Sequence, residues 1–136
     1  MRKVTLDTNV LISALIARGK SRTLFYGLIE GKAVLILSEE ILEEFVAATK
    51  DPKIKKYITE KDVKEFLSVI RSVAAVIKLK SKFRVIKEDP DDDLILETAF
   101  DGNADNIVSG DEHLLKLKKF KEIDIVSVND MLKLLE

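Results

Sequence analysis

The sequence contains no cysteine in its 136 residues. That absence excludes a disulfide scaffold, a thiolate metal site and a cysteine nucleophile. Aromatic residues make up only 6% of the chain, so aliphatic side chains must fill the core. No apolar run approaches the roughly 20 residues of a membrane-spanning helix, and the start of the chain lacks the pattern of a signal peptide. From these absences we expect a cytoplasmic protein that does not contact membranes.

Neither sign of charge predominates. The 23 basic and 24 acidic residues leave a net charge of -1, so the total charge gives no argument for nucleic-acid binding, and only its distribution could. Glycine and proline are few, and no repeat, linker or low-complexity tract divides the sequence. A chain of this length can bury one sizeable core. We predict a single domain that spans residues 1–136.

Apolar runs of strand length alternate with helical patterns along the chain. The predicted strands cover residues 3–7, 33–37, 75–79, 106–109 and 123–126. The second run is continuously apolar, which is typical of a strand covered on both faces. The alternation predicts an α/β fold: a three-layer α/β/α domain around a central, mostly parallel, five-stranded sheet. We expect Thr8 or Asn9 to cap the first helix and Ser38 to cap the third.

Four acidic residues follow strands or lie in the helices next to them. Asp7 closes the first strand, Asp111 follows the fourth strand, Glu44 lies on the helix after the second strand, and Asp92 begins a helix. Ligands of an open parallel sheet bind at the carboxyl ends of its strands. Each acid also has an ordinary interpretation, as a helix cap or an exposed helix residue. Asp7 fits this least, because an acid between a buried strand and an apolar helix needs a partner.

A cluster of these carboxylates requires a counter-charge. Each close pair repels by about 4 kcal/mol at a surface-like dielectric, and a divalent cation resolves that repulsion. The chain has no cysteine and one histidine, His113, so oxygen ligands favour Mg²⁺ or Mn²⁺ over Zn²⁺. A cation held by a few carboxylates is the usual arrangement for chemistry on phosphates. The acids therefore predict a metal site of that kind.

Four segments around the acids share one family's pattern. They are residues 4–11 (VTLDTNVL), 38–45 (SEEILEEF), 89–93 (DPDDD) and 104–111 (ADNIVSGD). In this order and spacing they resemble the four motifs of the PIN-domain family, in particular the VapC-like toxins of prokaryotic toxin–antitoxin systems. The resemblance covers almost the whole chain. It implies a parallel sheet, a pocket of acidic metal ligands and single-stranded RNA as the substrate.

The resemblance also implies roles for particular residues. Metal ligands or water activators would be Asp7, Glu44, Asp92 and Asp111, and the reaction would be phosphodiester hydrolysis by metal-activated water, leaving a 5′-phosphate and a 3′-hydroxyl. Glu44 fits the motif better than Glu43 because an apolar residue follows it. Asp92 is preferred over Asp91 and Asp93 by its spacing after Pro90. Residues that orient the carboxylates or a bound water would be Thr8, Asn9 and Ser109, with Asp105 as an outer acid.

Because the pocket is negative, basic residues around it would have to hold the RNA. The candidates include Arg18, Lys20, Arg22, Lys53 and Lys116, each of which is alternatively a solvated surface residue. The family implies a small antitoxin as partner and a homodimer or higher homo-oligomer. Two other functions stay open: an RNA-binding module of the same fold without catalysis, and a receiver-like signalling domain. The second lacks the expected lysine after the last strand, where Ser127 stands.

Overall fold

In the computed structural model, which describes residues 1–83 and 90–136 (Pro90 and Asp91 by backbone alone), one sheet lies between two layers of helices. Its strands are β1 (Lys3–Leu6), β2 (Val34–Ser38), β3 (Ala75–Ile77), β4 (Asn106–Val108), β5 (Lys119–Phe120) and β6 (Ile123–Val126). The helices are α1 (Thr8–Ile16), α2 (Lys20–Ile29), α3 (Glu39–Thr49), α4 (Pro52–Lys55), α5 (Glu60–Val73), α6 (Pro90–Asp101), α7 (Glu112–Leu117) and α8 (Val128–Leu134).

The strands are arranged in the order β3-β2-β1-β4-β6-β5. Every neighbouring pair is parallel except β5 and β6. The predicted α/β class with a mostly parallel sheet is confirmed. The described residues form one strand more than the five predicted. The additional strand is β5, which has only two residues, too few for a sequence pattern to identify. Parallel pairing places the carboxyl ends of β1, β2 and β4 at one edge of the sheet.

Aliphatic side chains fill the core, as the composition predicts. Strand residues such as Leu6, Leu37 and Ile107 are fully buried, and helices cover them from both sides. Phe66 of α5 stacks on Phe25 at 4.5 Å between ring centroids and lies 5.5 Å from Phe45, which joins α5 to α2 and α3. No helix within residues 1–83 and 90–136 is long and apolar enough to cross a bilayer.

The loop after α6 brings that helix close to β2. A Cβ on Gly102 would collide with Cγ2 of Ile36, so this approach requires glycine. Because β2 leads directly into α3, the close packing also fixes α6 beside α3. These two helices and the ends of β1 and β4 surround the candidate site described below.

Polar residues at strand ends cap the helices that follow. The predicted cap of α1 is wrong: Asp7, not Thr8 or Asn9, accepts a hydrogen bond from the backbone of Val10 at 2.9 Å. The reason is that Asp7 still has extended backbone angles, whereas Thr8 is already helical. Ser38 caps α3 as predicted, by accepting a hydrogen bond from the backbone of Ile41.

Candidate active site

A cleft at the carboxyl edge of the sheet brings the four predicted acids together. Its volume is about 240 Å³, and its lining consists of Asp7, Thr8, Asn9, Glu44, Ala48, Asp92, Ile95 and Asp111. We call this feature the acidic cleft. Two of its acids follow strands β1 and β4, and two project from helices α3 and α6. Parallel strands and the helices that return over them therefore bring residues from four distant segments to one place.

A larger cavity lies elsewhere, between α3, α4 and α5. It measures about 560 Å³ and is mostly apolar, with Val46, Val63 and Leu67 in its lining. Its charged lining residues are lysines and a single glutamate, and it contains none of the predicted acids. Size alone would favour this cavity, but the convergent carboxylates make the acidic cleft the candidate active site.

Asp7 is the most deeply held acid of the cleft, with 5% of its surface exposed. Its Oδ1 accepts from the Val10 backbone, and its Oδ2 accepts a short hydrogen bond from the hydroxyl of Ser109. Burial raises the pKa of Asp7 above that of an ordinary aspartate, although the hydrogen bonds from Ser109 and Val10 oppose the rise. The negative charge of Asp111 raises this pKa further. The site thus holds a carboxylate at an electrostatic cost, which a bound cation would offset.

Ser109 connects Asp7 to Asp111. Its oxygen accepts a hydrogen bond from the backbone of Asp111 at 2.9 Å, and its hydroxyl donates to Asp7. Asp111 in turn caps α7, since its Oδ1 accepts from the backbone of His113 at 2.7 Å. The cap predicted as an alternative for Asp111 is therefore present, and it coexists with a place in the cleft.

Glu44 has a hydroxyl partner of its own. Thr8 donates to its Oε1 at 2.7 Å, which links the start of α1 to the middle of α3. Glu44 is half-buried in the cleft lining, whereas Glu43 is exposed and does not line it. The choice of Glu44 over Glu43, made on motif spacing, agrees with this geometry.

The helix α6 supplies the fourth acid. Asp92 and Asp93 are both buried, at 7% and 8% exposure, but only Asp92 of the two lines the cleft. The third contender, Asp91, has a side chain outside the described residues, as does the Asp89 that opens the motif. Between Asp92 and Asp93, whose side chains are described, the position of Asp92 in the cleft lining agrees with the choice of Asp92 from the sequence.

The predicted place of Asp105 beside the site is wrong. Asp105 is exposed at the start of β4, where it accepts a hydrogen bond from the backbone of Lys3 at 2.8 Å. The site lies at the other end of that strand, beyond Val108. With a rise of about 3.3 Å per residue, four residues separate Asp105 from Ser109 by roughly 13 Å. Ser109, which belongs to the same sequence motif, therefore lies far from Asp105.

The five basic residues predicted to contact RNA lie outside the cleft lining given above. Arg22 donates to the carbonyl oxygens of Ala14 and Leu15, at 2.8 and 2.7 Å, and so caps the C-terminal end of α1. The ammonium of Lys20 donates to an asparagine side chain of α8. The remaining three, Arg18, Lys53 and Lys116, are exposed. Contact with RNA stays a prediction for all five, and a structural role already explains Arg22.

The donor set of the cleft suits a hard divalent cation. All four acids offer oxygen ligands, and the raised pKa of Asp7 reflects burial that a cation would compensate. In the part of the chain that the structure describes, however, no three acidic or histidine side chains are close enough together to hold one ion as they stand. The residues therefore fit the metal by chemistry and by place, and their side chains must approach one another to bind it.

Sequence reasoning missed Thr98, a fully buried residue in α6. Its hydroxyl lies 2.8 Å from that of Ser38, the cap of α3. A threonine between the apolar residues Leu94 and Ala99, four residues after the first of them, is the signal that could have drawn attention to it. The contact matters because α3 and α6 carry two of the four acids.

Comparisons with known proteins agree with this geometry. The family model of the PIN domain matches residues 3–113. An uncharacterized protein of Methanocaldococcus jannaschii, MJ1680, is 35% identical over 121 residues, which are 85% of this chain and 75% of that protein. Among solved structures, PAE2754 from Pyrobaculum aerophilum aligns with a TM-score of 0.65 at 16% identity, over 98% of this chain and 89% of that one. VapBC2 from Rickettsia felis, bound to a DNA fragment from their promoter, aligns with a TM-score of 0.61 at 15% identity, over 92% and 98%.

Proposed function

The chain belongs to the PIN-domain family, and from this premise we propose that it is a divalent-cation-dependent nuclease that hydrolyses phosphodiester bonds of single-stranded RNA in the acidic cleft. The observation that carries the proposal is the convergence of Asp7, Glu44, Asp92 and Asp111 on one cleft. Membership also removes the receiver-like alternative. As helix caps and surface acids alone, these residues would have no reason to meet.

Asp7 and Glu44 are held by hydrogen bonds that leave their carboxylates able to bind a cation. The two oxygens of Asp7 accept from Val10 and Ser109. A carboxylate oxygen has two lone pairs, so each can still coordinate a cation while the hydrogen bond fixes its direction. Ser109 and Thr8 thus act as orienting residues for Asp7 and Glu44. Asn9, exposed in the lining, is placed to contact substrate or water.

Mg²⁺ or Mn²⁺, when bound, would neutralise the acids, activate water and stabilise the leaving oxygen. The remaining task of the chain is to hold an anionic substrate against an acidic site. Exposed cations such as Arg18, Lys53 and Lys116 would contact backbone phosphates and make binding strongly salt-dependent.

The biological role follows the family likeness. VapBC2 is a complex and was solved on promoter DNA, and by analogy this chain would be the toxin of a toxin–antitoxin pair, neutralised by a small antitoxin that covers the acidic cleft. A homodimer or higher homo-oligomer is part of the same proposal. Co-expression with a small reading frame from beside its gene, followed by co-purification and loss of cleavage, would test it.

The central experiment is cleavage of labelled single-stranded RNA and DNA with EDTA, Mg²⁺ or Mn²⁺. We expect wild-type protein to cut RNA only with a divalent ion and to leave 5′-phosphate ends. Asp7→Asn should lose this cleavage. The matched control is Asp105→Asn, the same chemical change at the opposite edge of the sheet, which should cut like wild type.

Two results would decide against the proposal. Undiminished cleavage by Asp7→Asn would place the chemistry elsewhere. Wild-type protein that shifts RNA in a gel but never cuts it with any divalent ion would favour the RNA-binding module without catalysis.

A further inference from the structure

Two buried hydroxyls join the helices that carry Glu44 and Asp92. Ser38, at the start of α3, and Thr98, in α6, are each fully buried, and their oxygens lie 2.8 Å apart. This is a side-chain hydrogen bond between elements that are 60 residues apart in sequence. No role for it follows from capping alone, since Ser38 caps α3 without using its own proton.

The direction of this bond follows from counting protons. The hydroxyl of Thr98 lies 2.9 Å from the carbonyl oxygen of Leu94, to which it donates. A hydroxyl has one proton, so the proton between the two side chains must come from Ser38. The oxygen of Ser38 meanwhile accepts from the backbone of Ile41. The hydrogen bonds therefore run in one direction from the first turn of α3 to the α6 backbone, and both hydroxyl protons are used.

Each of the two hydroxyls belongs to the same helix as one of the helix acids, or to its cap, at the same sequence distance from that acid. Glu44 stands six residues after Ser38 on α3, and Asp92 stands six residues before Thr98 on α6. The strand acids have a separate link through Ser109, which bonds to both Asp7 and Asp111. For the helix acids, the Ser38–Thr98 bond is the corresponding side-chain link between their two helices.

We propose that Ser38 and Thr98 are positioning residues, whose hydrogen bond sets the separation of the Glu44 and Asp92 carboxylates and thereby the affinity of the acidic cleft for its divalent cation. The inference rests on the proposed function. Neither hydroxyl lines the cleft, so both act through the helices and not on substrate. A low-dielectric setting makes such a bond strong, and its loss leaves the Ser38 proton buried without an acceptor.

The test compares Thr98→Val, which keeps shape and removes the hydroxyl, with Thr98→Ser, which keeps the hydroxyl. Mn²⁺ affinity is measured by calorimetry, and kcat and KM are measured on single-stranded RNA, at a temperature where circular dichroism shows all variants folded. The matched control is Thr5→Val, because the buried Thr5 hydroxyl has no hydrogen-bond partner among the described residues. It reports the effect of the same chemical change without loss of a link.

We expect Thr98→Val to weaken Mn²⁺ binding about tenfold and to lower kcat about tenfold, which is the lower end of the range for loss of an orienting partner. KM for RNA should change little. Thr98→Ser should restore both values, and Thr5→Val should match wild type. Wild-type Mn²⁺ affinity and kcat in folded Thr98→Val would overturn the positioning role while leaving the nuclease assignment intact. Equal losses in Thr98→Ser and Thr98→Val would also overturn it. Wild-type protein that neither binds Mn²⁺ nor cuts RNA would overturn the proposed function itself.

Discussion

The acidic cleft has two halves that are built differently. Asp7 and Asp111 follow adjacent parallel strands, and the backbone holds them: the Asp7 amide donates to the carbonyl of Val108 at 3.1 Å, and the Ser109 amide donates to that of Val126 at the same distance. Glu44 and Asp92 project from helices, whose relative position depends on side-chain packing and on the hydroxyl bond between Ser38 and Thr98. Backbone hydrogen bonds of the sheet hold the strand half, whereas helix packing and side-chain hydrogen bonds hold the helix half.

This difference suggests a division of labour. In the proposed cation site, the two strand acids, one of them buried at an electrostatic cost, would be the ligands whose positions the sheet determines. In the proposed site, Glu44 and Asp92 would complete the ligand set from the helix half. Such an arrangement accounts for a cleft that gathers four acids although no three described acidic or histidine side chains meet around a point.

After the complete loss of cleavage expected for Asp7→Asn in the strand half, the next largest effect is expected in the helix half. Glu44→Gln removes a cleft carboxylate, and we expect kcat/KM for RNA to fall by more than about 100-fold. Loss of a residue that only orients a metal ligand costs up to about 100-fold, and loss of the ligand itself should cost more. Glu43→Gln, one residue away and exposed, should stay within about twofold of wild type. Equal losses in the two variants, measured under one set of conditions, would refute the assignment of Glu44.

Ser109 is the residue whose substitution best tests the strand half, because it bonds to both strand acids. Ser109→Ala removes the hydroxyl that holds Asp7 and accepts from Asp111. We expect activity and Mn²⁺ affinity to fall by about 10- to 100-fold, the range for partners that orient metal ligands. Steady-state kinetics and calorimetry measure the two effects. An activity loss with unchanged Mn²⁺ affinity would mean that Ser109 contacts substrate and does not orient the acids.

A smaller effect is expected from Thr8→Val. This change removes the donor to Glu44 at 2.7 Å, but Glu44 is half-exposed, so water can replace the lost hydrogen bond. We expect about a tenfold loss of kcat, at the low end of the range for orienting partners. A loss as large as that of Ser109→Ala would show that the helix half is as rigid as the strand half.

The smallest effect concerns stability without metal. Because burial raises the pKa of Asp7, the folded state binds that proton more tightly than the unfolded state does. Wild-type stability therefore falls as pH rises from the ordinary aspartate pKa of 3.8 through the raised folded value, and the penalty is complete above it. Asp7→Asn removes the penalty and keeps an oxygen to cap α1, so at pH 7 with EDTA its Tm should rise by roughly 3 °C, which about 1 kcal/mol produces in a domain of this size.

The gain should disappear in melts well below pH 3.8, where Asp7 is protonated in both the folded and the unfolded state. Added Mg²⁺ should raise the Tm of wild type more than that of Asp7→Asn, because only wild type retains the full site. A variant that is less stable than wild type at pH 7 in EDTA would show that the cap and the Ser109 bond outweigh the cost of burial.

Local patterns were sufficient for part of this architecture. The alternation of apolar runs predicts the parallel sheet, and the position of Asp7 directly after such a run predicts its place at the carboxyl edge. Asp105 shows where this reasoning fails. It lies in the same motif as Asp111, yet an intervening strand sends it to the opposite edge of the sheet. Closeness in sequence is a poor guide across a strand, because each residue adds about 3.3 Å in one direction.

Sequence by itself determined the fold class, the family pattern and the residue types of the cleft, since these depend on periodicity and on motifs a few residues long. Only the tertiary structure decided that Glu44 lines the cleft and Glu43 does not, that Asp7 and not Thr8 caps α1, and that Ser38 meets Thr98 across 60 residues. Side-chain direction and long-range hydrogen bonds depend on how helices pack on the sheet, and no local pattern contains that information.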